Sequence, residues 1–293
     1  MSLAEANRQY FDLISSSYDS KPWFAKVNNQ VADFLRAELS WIGIPFVNMG
    51  SSNEATGEVR LLDYACGTGL MTRVFAPYVT STVAIDISSK MISEYTSRAA
   101  SSPSPSSITA TTGNLFDKTN PSPPELSSPQ YFNFDIATVG FGFHHFEDVV
   151  YAASQLKQRL RPGGVLVIND FLEGGDVLVD EGGDVVEGSE GVHHHHHHHH
   201  GHDHGHKHAD ADANVTHDTD DTSAAFHKKM SASIVVPNFT VEGVRKFFTE
   251  AGFVDVDVVT NKEKSYMEFG GKKVYRTILF AKGRRPVDEK SEL

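Results

Sequence analysis

The chain has little of several things that usually declare a protein's setting. It carries one cysteine, Cys66, in 293 residues, which excludes an internal disulfide and predicts a reducing compartment. No run of roughly 18 or more apolar residues occurs, so no helix is expected to span a membrane. Met1 to Arg8 lacks the apolar stretch of a secretory signal, and the expected location is cytoplasmic. Bases are outnumbered by acids, 26 to 38, for a formal net charge of -12. That imbalance belongs to one segment: Leu172 to Phe226 holds thirteen Asp and Glu and a single base, Lys207. The rest of the chain is formally neutral, which leaves no electrostatic footprint for nucleic acid. At 39 % hydrophobic residues, the chain is long and apolar enough to bury a sizeable core.

What is present is a regular alternation. Ala4 to Ser20 reads as a first helix and Pro22 to Ile42 as a second, with Phe24, Val27, Val31, Phe34, Leu35 and Leu39 forming one apolar stripe. Five short apolar runs follow: Val59 to Ala65, Ser81 to Ile87, Ile108 to Asn114, Phe132 to Val139 and Val165 to Phe171. Helical segments begin near Leu70, Ser89 and Asp148. Apolar runs buried on both faces and separated by helices predict a parallel sheet covered on both sides. After Phe171 the pattern breaks into an acidic, glycine-rich tract, a histidine tract and Asp/Thr/Ala-rich sequence to about Ala225. Such a composition cannot bury enough apolar surface to offset chain entropy, so residues 173–225 are expected to be a disordered insert. A helix from Val241 to Ala251, a strand from Val254 to Val259 and a last strand from Lys273 to Lys282 complete the expected order.

Two motifs carry chemistry. Leu61-Leu62-Asp63-Tyr64-Ala65-Cys66-Gly67-Thr68-Gly69 is a strand running into a glycine-rich turn before a helix. Glycines let a ligand approach the backbone, and helix-start N–H groups point at it; tight strand–helix packing would use the same turn. Asp86, at the end of the second run, follows by about 20 residues, the spacing of an acid that accepts both ribose hydroxyls. Together they point to nucleoside binding. A dinucleotide fold wants a third glycine where this chain has Thr72, which counts against a nicotinamide-dependent oxidoreductase.

The segment Asp63 to Gly69 instead resembles the first motif of class I S-adenosylmethionine-dependent methyltransferases. The resemblance spans most of Tyr10 to Arg284 apart from the histidine-rich insert, and is nearest to the ubiquinone/menaquinone-type and related small-molecule enzymes. Phe11-Asp12 with Tyr18-Asp19 looks like their N-terminal helix. Thr112-Gly113-Asn114-Leu115 is similar to the adenine-contacting motif, with Asn114 where the family usually has Asp. Phe141 to Phe146 resembles the loop after strand four, and Leu160 to Gly164 the turn before strand five. The resemblance implies a Rossmann-like α/β fold: a seven-stranded, mostly parallel sheet whose last strand runs antiparallel beside the sixth. It implies one domain over residues 1–293, capped by helices in 1–45, with S-adenosyl-L-methionine as cofactor and methyl transfer to a small-molecule O, N, S or C nucleophile. It further implies that Asp63, Ala65, Cys66, Gly67, Thr68, Gly69, Asp86, Ile87, Met91, Asn114, Leu115, Val139, Gly140 and Tyr18 line the cofactor site.

His144 follows the fourth strand and Asp170 ends the fifth. In the enzymes the chain resembles, such a pair acts as base and orienter, so His144 is the candidate base; both neighbouring histidines could equally shape the pocket through backbone hydrogen bonds. Cys66 lacks an evident partner base and reads as a small buried residue. Tyr18 and Trp23 would either close over the ligand or simply pack between helices. His193, His194, His195, His196, His197, His198, His199 and His200 could bind a divalent metal weakly. The other reading of that tract is a tolerated surface expansion, since loop insertions are inexpensive. A metal-binding protein built on the same fold is therefore the rival function, and no resident metal site is expected in the methyltransferase reading.

Overall fold

The computed structural model describes residues 1–50, 55, 57–101, 106–180, 184–190, 224–269 and 272–287. Three helices lead: α1 (Leu3–Ile14), α2 (Pro22–Ala37) and the single turn α3 (Leu39–Ile42). The alternation follows as β1 (Arg60–Tyr64), α4 (Leu70–Phe75), β2 (Ser81–Asp86), α5 (Ser89–Ser101), β3 (Ser107–Thr112), β4 (Phe134–Gly140), α6 (Val149–Arg159) and β5 (Leu160–Phe171). Then come β6 (Val177–Val179), α7 (Ala224–Ser233), α8 (Val241–Glu250), β7 (Val254–Thr260), β8 (Ser265–Phe269), β9 (Lys272–Arg276) and β10 (Ile278–Arg284).

The main sheet has seven strands in the order β3-β2-β1-β4-β5-β10-β7. β1 to β5 are mutually parallel, and β10 runs antiparallel between β5 and β7. Along β1 the side chains alternate faces. Leu62 and Tyr64 join a core with α6 and α8 residues such as Leu156 and Phe248, whereas Leu61 joins Val31, Leu35, Val74 and Phe75 of α2 and α4 on the other side. Covering both faces is why β1, β2, β4 and β5 read as continuous apolar runs, whereas β3, expected to be buried likewise, is an edge strand with no buried residue. The order reverses between β1 and β4, and in such sheets the ligand crevice opens at that switch point, beyond the carboxyl ends of the strands.

Four expectations need correction. Helix α1 stops at Ile14 rather than Ser20, because Ser15, Ser17 and Ser20 turn their hydroxyls back onto the carbonyls of Asp12, Ile14 and Ser17 and compete with helix propagation. The second helix breaks at Glu38, whose φ/ψ of -107/24 is not helical, before the turn of α3. The last strand is two strands, β9 and β10, which switch sheets at Thr277; β9 sits between β6 and the unanticipated β8 in a separate antiparallel sheet. Finally, the insert is ordered at its start. Val177, Leu178 and Val179 pair with Tyr275, Val274 and Lys273, with Val177 and Val179 buried and Asp176 3.1 Å from Arg276. An apolar triplet with a pairing partner outweighs the polar composition around it. Helix α7 resumes at Ala224, and Phe226 is buried. Residues 184–190 fold back on β6, the Val186 N–H donating to the Leu178 carbonyl at 3.0 Å and the Leu178 N–H to the Ser189 hydroxyl at 3.1 Å. The remainder of the expected disorder, 181–183 and 191–223 with His193 to His200, lies outside the described residues.

Candidate functional site

The glycine turn leaves β1 with three left-handed backbones in five residues: Ala65 at φ 52°, Gly67 at 50° and Gly69 at 93°. Glycine takes this conformation without cost, but Ala65 bears a Cβ, and a non-glycine residue held there stores about 1–3 kcal/mol. A Cβ added at Gly67 would meet no atom within 4 Å, so this part of the turn faces open space. Cys66 is buried beneath it, and burial pushes its thiol well up, which keeps it protonated and unreactive.

Asp63 sits 1 % exposed at the end of β1. Its Oδ2 accepts hydrogen bonds from the Thr72 hydroxyl (2.6 Å) and the Thr72 N–H (2.9 Å), while its Oδ1 has no hydrogen-bond partner among the described residues. Thr72, which had counted only against a dinucleotide motif, thus fastens α4 to β1. Burial lifts the Asp63 carboxyl to about 7, against the pull of the Thr72 bonds.

Asp86 closes the turn. Its Oδ2 accepts from the Gly67 N–H at 2.8 Å and its Oδ1 from the Ser88 N–H at 2.9 Å. Each carboxylate oxygen retains a second lone pair, which is what two ribose hydroxyls would require. Burial raises this acid to about 6. Ile87 is half-buried beside it. Met91 is buried under α1 together with Tyr10, Ile14 and Phe226, its N–H donating to the Ser88 hydroxyl at 3.0 Å. Tyr18 feels the charge of Asp86 and packs against Phe11 and Phe24. Asn114 spends its Oδ1 on the Phe116 N–H at 2.9 Å. Leu115 and Val139 are buried in the core, so only their backbones can meet a ligand; the Leu115 N–H already donates to the Tyr64 hydroxyl at 3.0 Å. Thr68 is buried, and its carbonyl accepts from Arg73 at 2.6 Å.

The loop after β4 brings the other candidates together. Phe141, at φ 51°, turns the chain sharply and stacks on Phe171 with ring centroids 4.9 Å apart. His144 Nδ1 lies 2.9 Å from Asp170 Oδ1, and the His144 N–H donates to Asp170 Oδ2 at 3.2 Å. Asp170 is fully buried and accepts further from the Phe171 N–H at 2.9 Å. A carboxylate can only accept, so Nδ1 carries the proton and Nε2 presents a lone pair. His145 is built differently. Its Nδ1 meets the Ser233 carbonyl at 2.6 Å, and burial with the neighbouring His144 drives its pKa well below the usual histidine value. It is a neutral anchor, not a base.

Helix α1 lies across this region, a role only hinted at by the Phe11-Asp12 pair. The Asn7 side chain donates to the His145 carbonyl at 3.0 Å, Phe11 meets the His145 ring edge-on at 5.0 Å, and the Ser88 hydroxyl donates to Asp12 at 2.6 Å. Neither Asn7 nor Ser233 carries a signal in the sequence, because each meets His145 across at least 88 residues of chain. Among the described residues no cluster of metal-ligating side chains occurs, and no helix is long and apolar enough to cross a membrane.

The unpartnered Asp63 Oδ1 suits a cation, the open face of Gly67 suits a ligand lying on the turn, and Asp86 suits a diol. These fit the ammonium and ribose of a nucleoside-linked amino acid. Comparison with known proteins agrees in kind. A family model described as a methyltransferase domain matches residues 24–257. An uncharacterized methyltransferase of Schizosaccharomyces pombe is 28 % identical over 120 residues, 41 % of either chain. The uncharacterized methyltransferase YcgJ of Bacillus subtilis is 27 % identical over 128 residues, 44 % of this chain and 47 % of that one. The matches thus span less than half the length of these curated relatives. A solved structure described as a DhpI–SAH complex covers 98 % of both chains at a TM-score of 0.53 and 15 % identity, a likeness of fold.

Proposed function

Since the chain belongs to this family of methyltransferase domains, we propose that it is an S-adenosylmethionine-dependent methyltransferase acting on a small molecule through an O, N, S or C nucleophile. The observation that carries the reading is the His144–Asp170 contact of 2.9 Å at the carboxyl ends of two adjacent parallel strands, β4 and β5. In this reading the domain extends over residues 1–293 with 1–45 as its cap. Asp63, Ala65, Cys66, Gly67, Thr68, Gly69, Asp86, Ile87, Met91, Asn114, Leu115, Val139, Gly140 and Tyr18 border the cofactor. S-adenosylmethionine, when bound, supplies a methyl group made electrophilic by its sulfonium. The chain's own residues then have two tasks. The turn and Asp86 fix position, and alignment alone can contribute roughly 7–11 kcal/mol. His144 Nε2 accepts the proton that an alcohol or amine acceptor releases as it gains the methyl group, and Asp170 stabilises the resulting imidazolium. A thiolate or carbanion would need only the alignment.

The test is incubation with methyl-labelled S-adenosylmethionine and a fractionated cell extract. Label is expected in a low-mass product. Label confined to protein or nucleic acid would refute the small-molecule assignment, and a protein that fails to bind the cofactor would refute the whole reading.

A further inference from the structure

On the sheet face that carries α2, α4 and α5 lies a cavity of about 590 Å³, and none of its lining residues comes from the loop that holds His144. Asp19, Phe24 and Asn28 form one wall, Arg73 of α4 a second, and Tyr95 and Arg98 of α5 a third, with Pro77 and Ile108 adding apolar surface. A largely apolar pocket on which a few polar groups converge is the usual form of a small-molecule site.

Two guanidinia line this space against one carboxylate. Arg98 meets Asp19 Oδ2 through a single nitrogen, Nη1, while Asp19 Oδ1 and Arg98 Nε have no hydrogen-bond partner among the described residues. Arg73 forms no ion pair among the described residues, and its Nη1 donates to the Thr68 carbonyl at 2.6 Å. A guanidinium offers five N–H donors, so each arginine keeps most of its own unused. Partial desolvation by the walls lowers the Arg73 guanidinium from its ordinary range; Asp19 opposes this, and the charge of Arg98 adds to it. Crowding two like charges stabilises nothing in the fold, whereas an anion between them would turn repulsion into attraction.

We propose that this cavity is a binding site for a small organic anion, its phosphate or carboxylate group held by Arg73 and Arg98 and its apolar body lying against Phe24, Tyr95 and Ile108. Planar guanidinium forks match the paired oxygens of either head group. The site stands apart from the methyltransferase reading. Its charged groups belong to α4, α5 and the segment before α2, not to the ends of β4 and β5 where His144 meets Asp170, so its ligand is not the methyl acceptor.

The experiment titrates phenyl phosphate, benzoate and neutral benzyl alcohol into the full-length protein by calorimetry. At least one anion should bind saturably at a single site, the tighter of the two identifying the head group, and benzyl alcohol should bind at least about tenfold more weakly. Arg73→Gln and Arg98→Gln should each weaken the anion roughly 10- to 100-fold, the scale of hydrogen bonds to charged groups. Ala25→Trp, at the cavity wall, keeps both charges and narrows the space, and should weaken the anion about tenfold or more. No saturable binding of either anion up to about 10 mM would overturn the proposal, and so would binding that neither glutamine substitution changes. Displacement of the anion by S-adenosylhomocysteine would make the cavity part of the cofactor site and overturn it as well. Binding of S-adenosylhomocysteine alone is measured beside these titrations, so a failure of the cofactor reading shows separately.

Discussion

In the proposed reading Asp63 and Asp86 are the carboxyls that meet the cofactor, and their burial sets ligand binding against the fold. Both are buried, and burial raises them to about 7 and about 6 from an ordinary value of 3.8. A carboxyl raised in the folded state binds its proton more tightly there than in the unfolded chain. Its contribution to stability is therefore complete below about 3.8 and is lost as pH rises through the folded value. Without cofactor, the melting temperature of wild type relative to Asp63→Asn should decline between pH 4 and pH 7. Cofactor affinity should move the other way, rising from pH 5.5 to 7.5 as both acids ionise and can accept from ammonium and ribose. Thermal melts and calorimetry across that range check the two slopes; parallel slopes would contradict this account of the site. At this scale much was legible. The run from Asp63 to Gly69 and the spacing to Asp86 could be placed from order along the chain, and the contact of His144 with Asp170 from the family resemblance. Ala65 in a left-handed backbone and the Thr72 clasp could not, because they depend on which atoms face one another across strands.

Among the elements, α1 and α7 brace the loop that carries His144. They pack together through Tyr10, Ile14 and Phe226, with the Tyr10 and Phe226 rings edge-on at 5.9 Å. Helix α7 also accepts the His145 ring hydrogen bond at Ser233, so the loop carrying His144 is tied to both helices. An aromatic pair of this geometry adds about 0.5–1.5 kcal/mol beyond its buried area. Phe226→Ala should therefore speed amide hydrogen exchange in α1 by at least about 2- to 10-fold, the equivalent of that energy, while β1 and β4 exchange as before. Uniform acceleration throughout would show that the helices are part of the global fold and not a separately opening cover. The sequence showed α1 as a helix but put its end six residues late, since the serines that stop it act through side chains that periodicity ignores. The small sheet of β6, β8 and β9 was missed for a related reason: a three-residue strand in acidic sequence is recognisable only once Arg276 and β9 stand beside it.

For the molecule as a whole, strand order decides the chemistry. The reversal between β1 and β4 opens the crevice, and the parallel pairing of β4 with β5 sets Gly140 opposite Asn169 and brings His144 to Asp170. Alternating apolar runs and helices foretold a parallel sheet covered on both faces, and the family resemblance implied the adjacency of β4 and β5 and an antiparallel last strand; the change of sheet at Thr277 left no trace in the run from Lys273 to Lys282. Residues 191–223 carry the histidine tract and six of the thirteen acids of the segment. Their composition predicts that replacing them with a short Gly/Ser linker leaves the melting temperature and cofactor affinity nearly unchanged; a large drop in either would assign them a structural part. The most direct test of the central claim is single-turnover methyl transfer across pH, with wild type and His144→Ala compared on an acceptor identified by labelling. His144→Ala should be about 10²–10⁴-fold slower at unchanged cofactor affinity, and Asp170→Asn slowed less. A His144→Ala rate near that of wild type, with no pH dependence where histidine titrates, would contradict the assignment of His144 as the base.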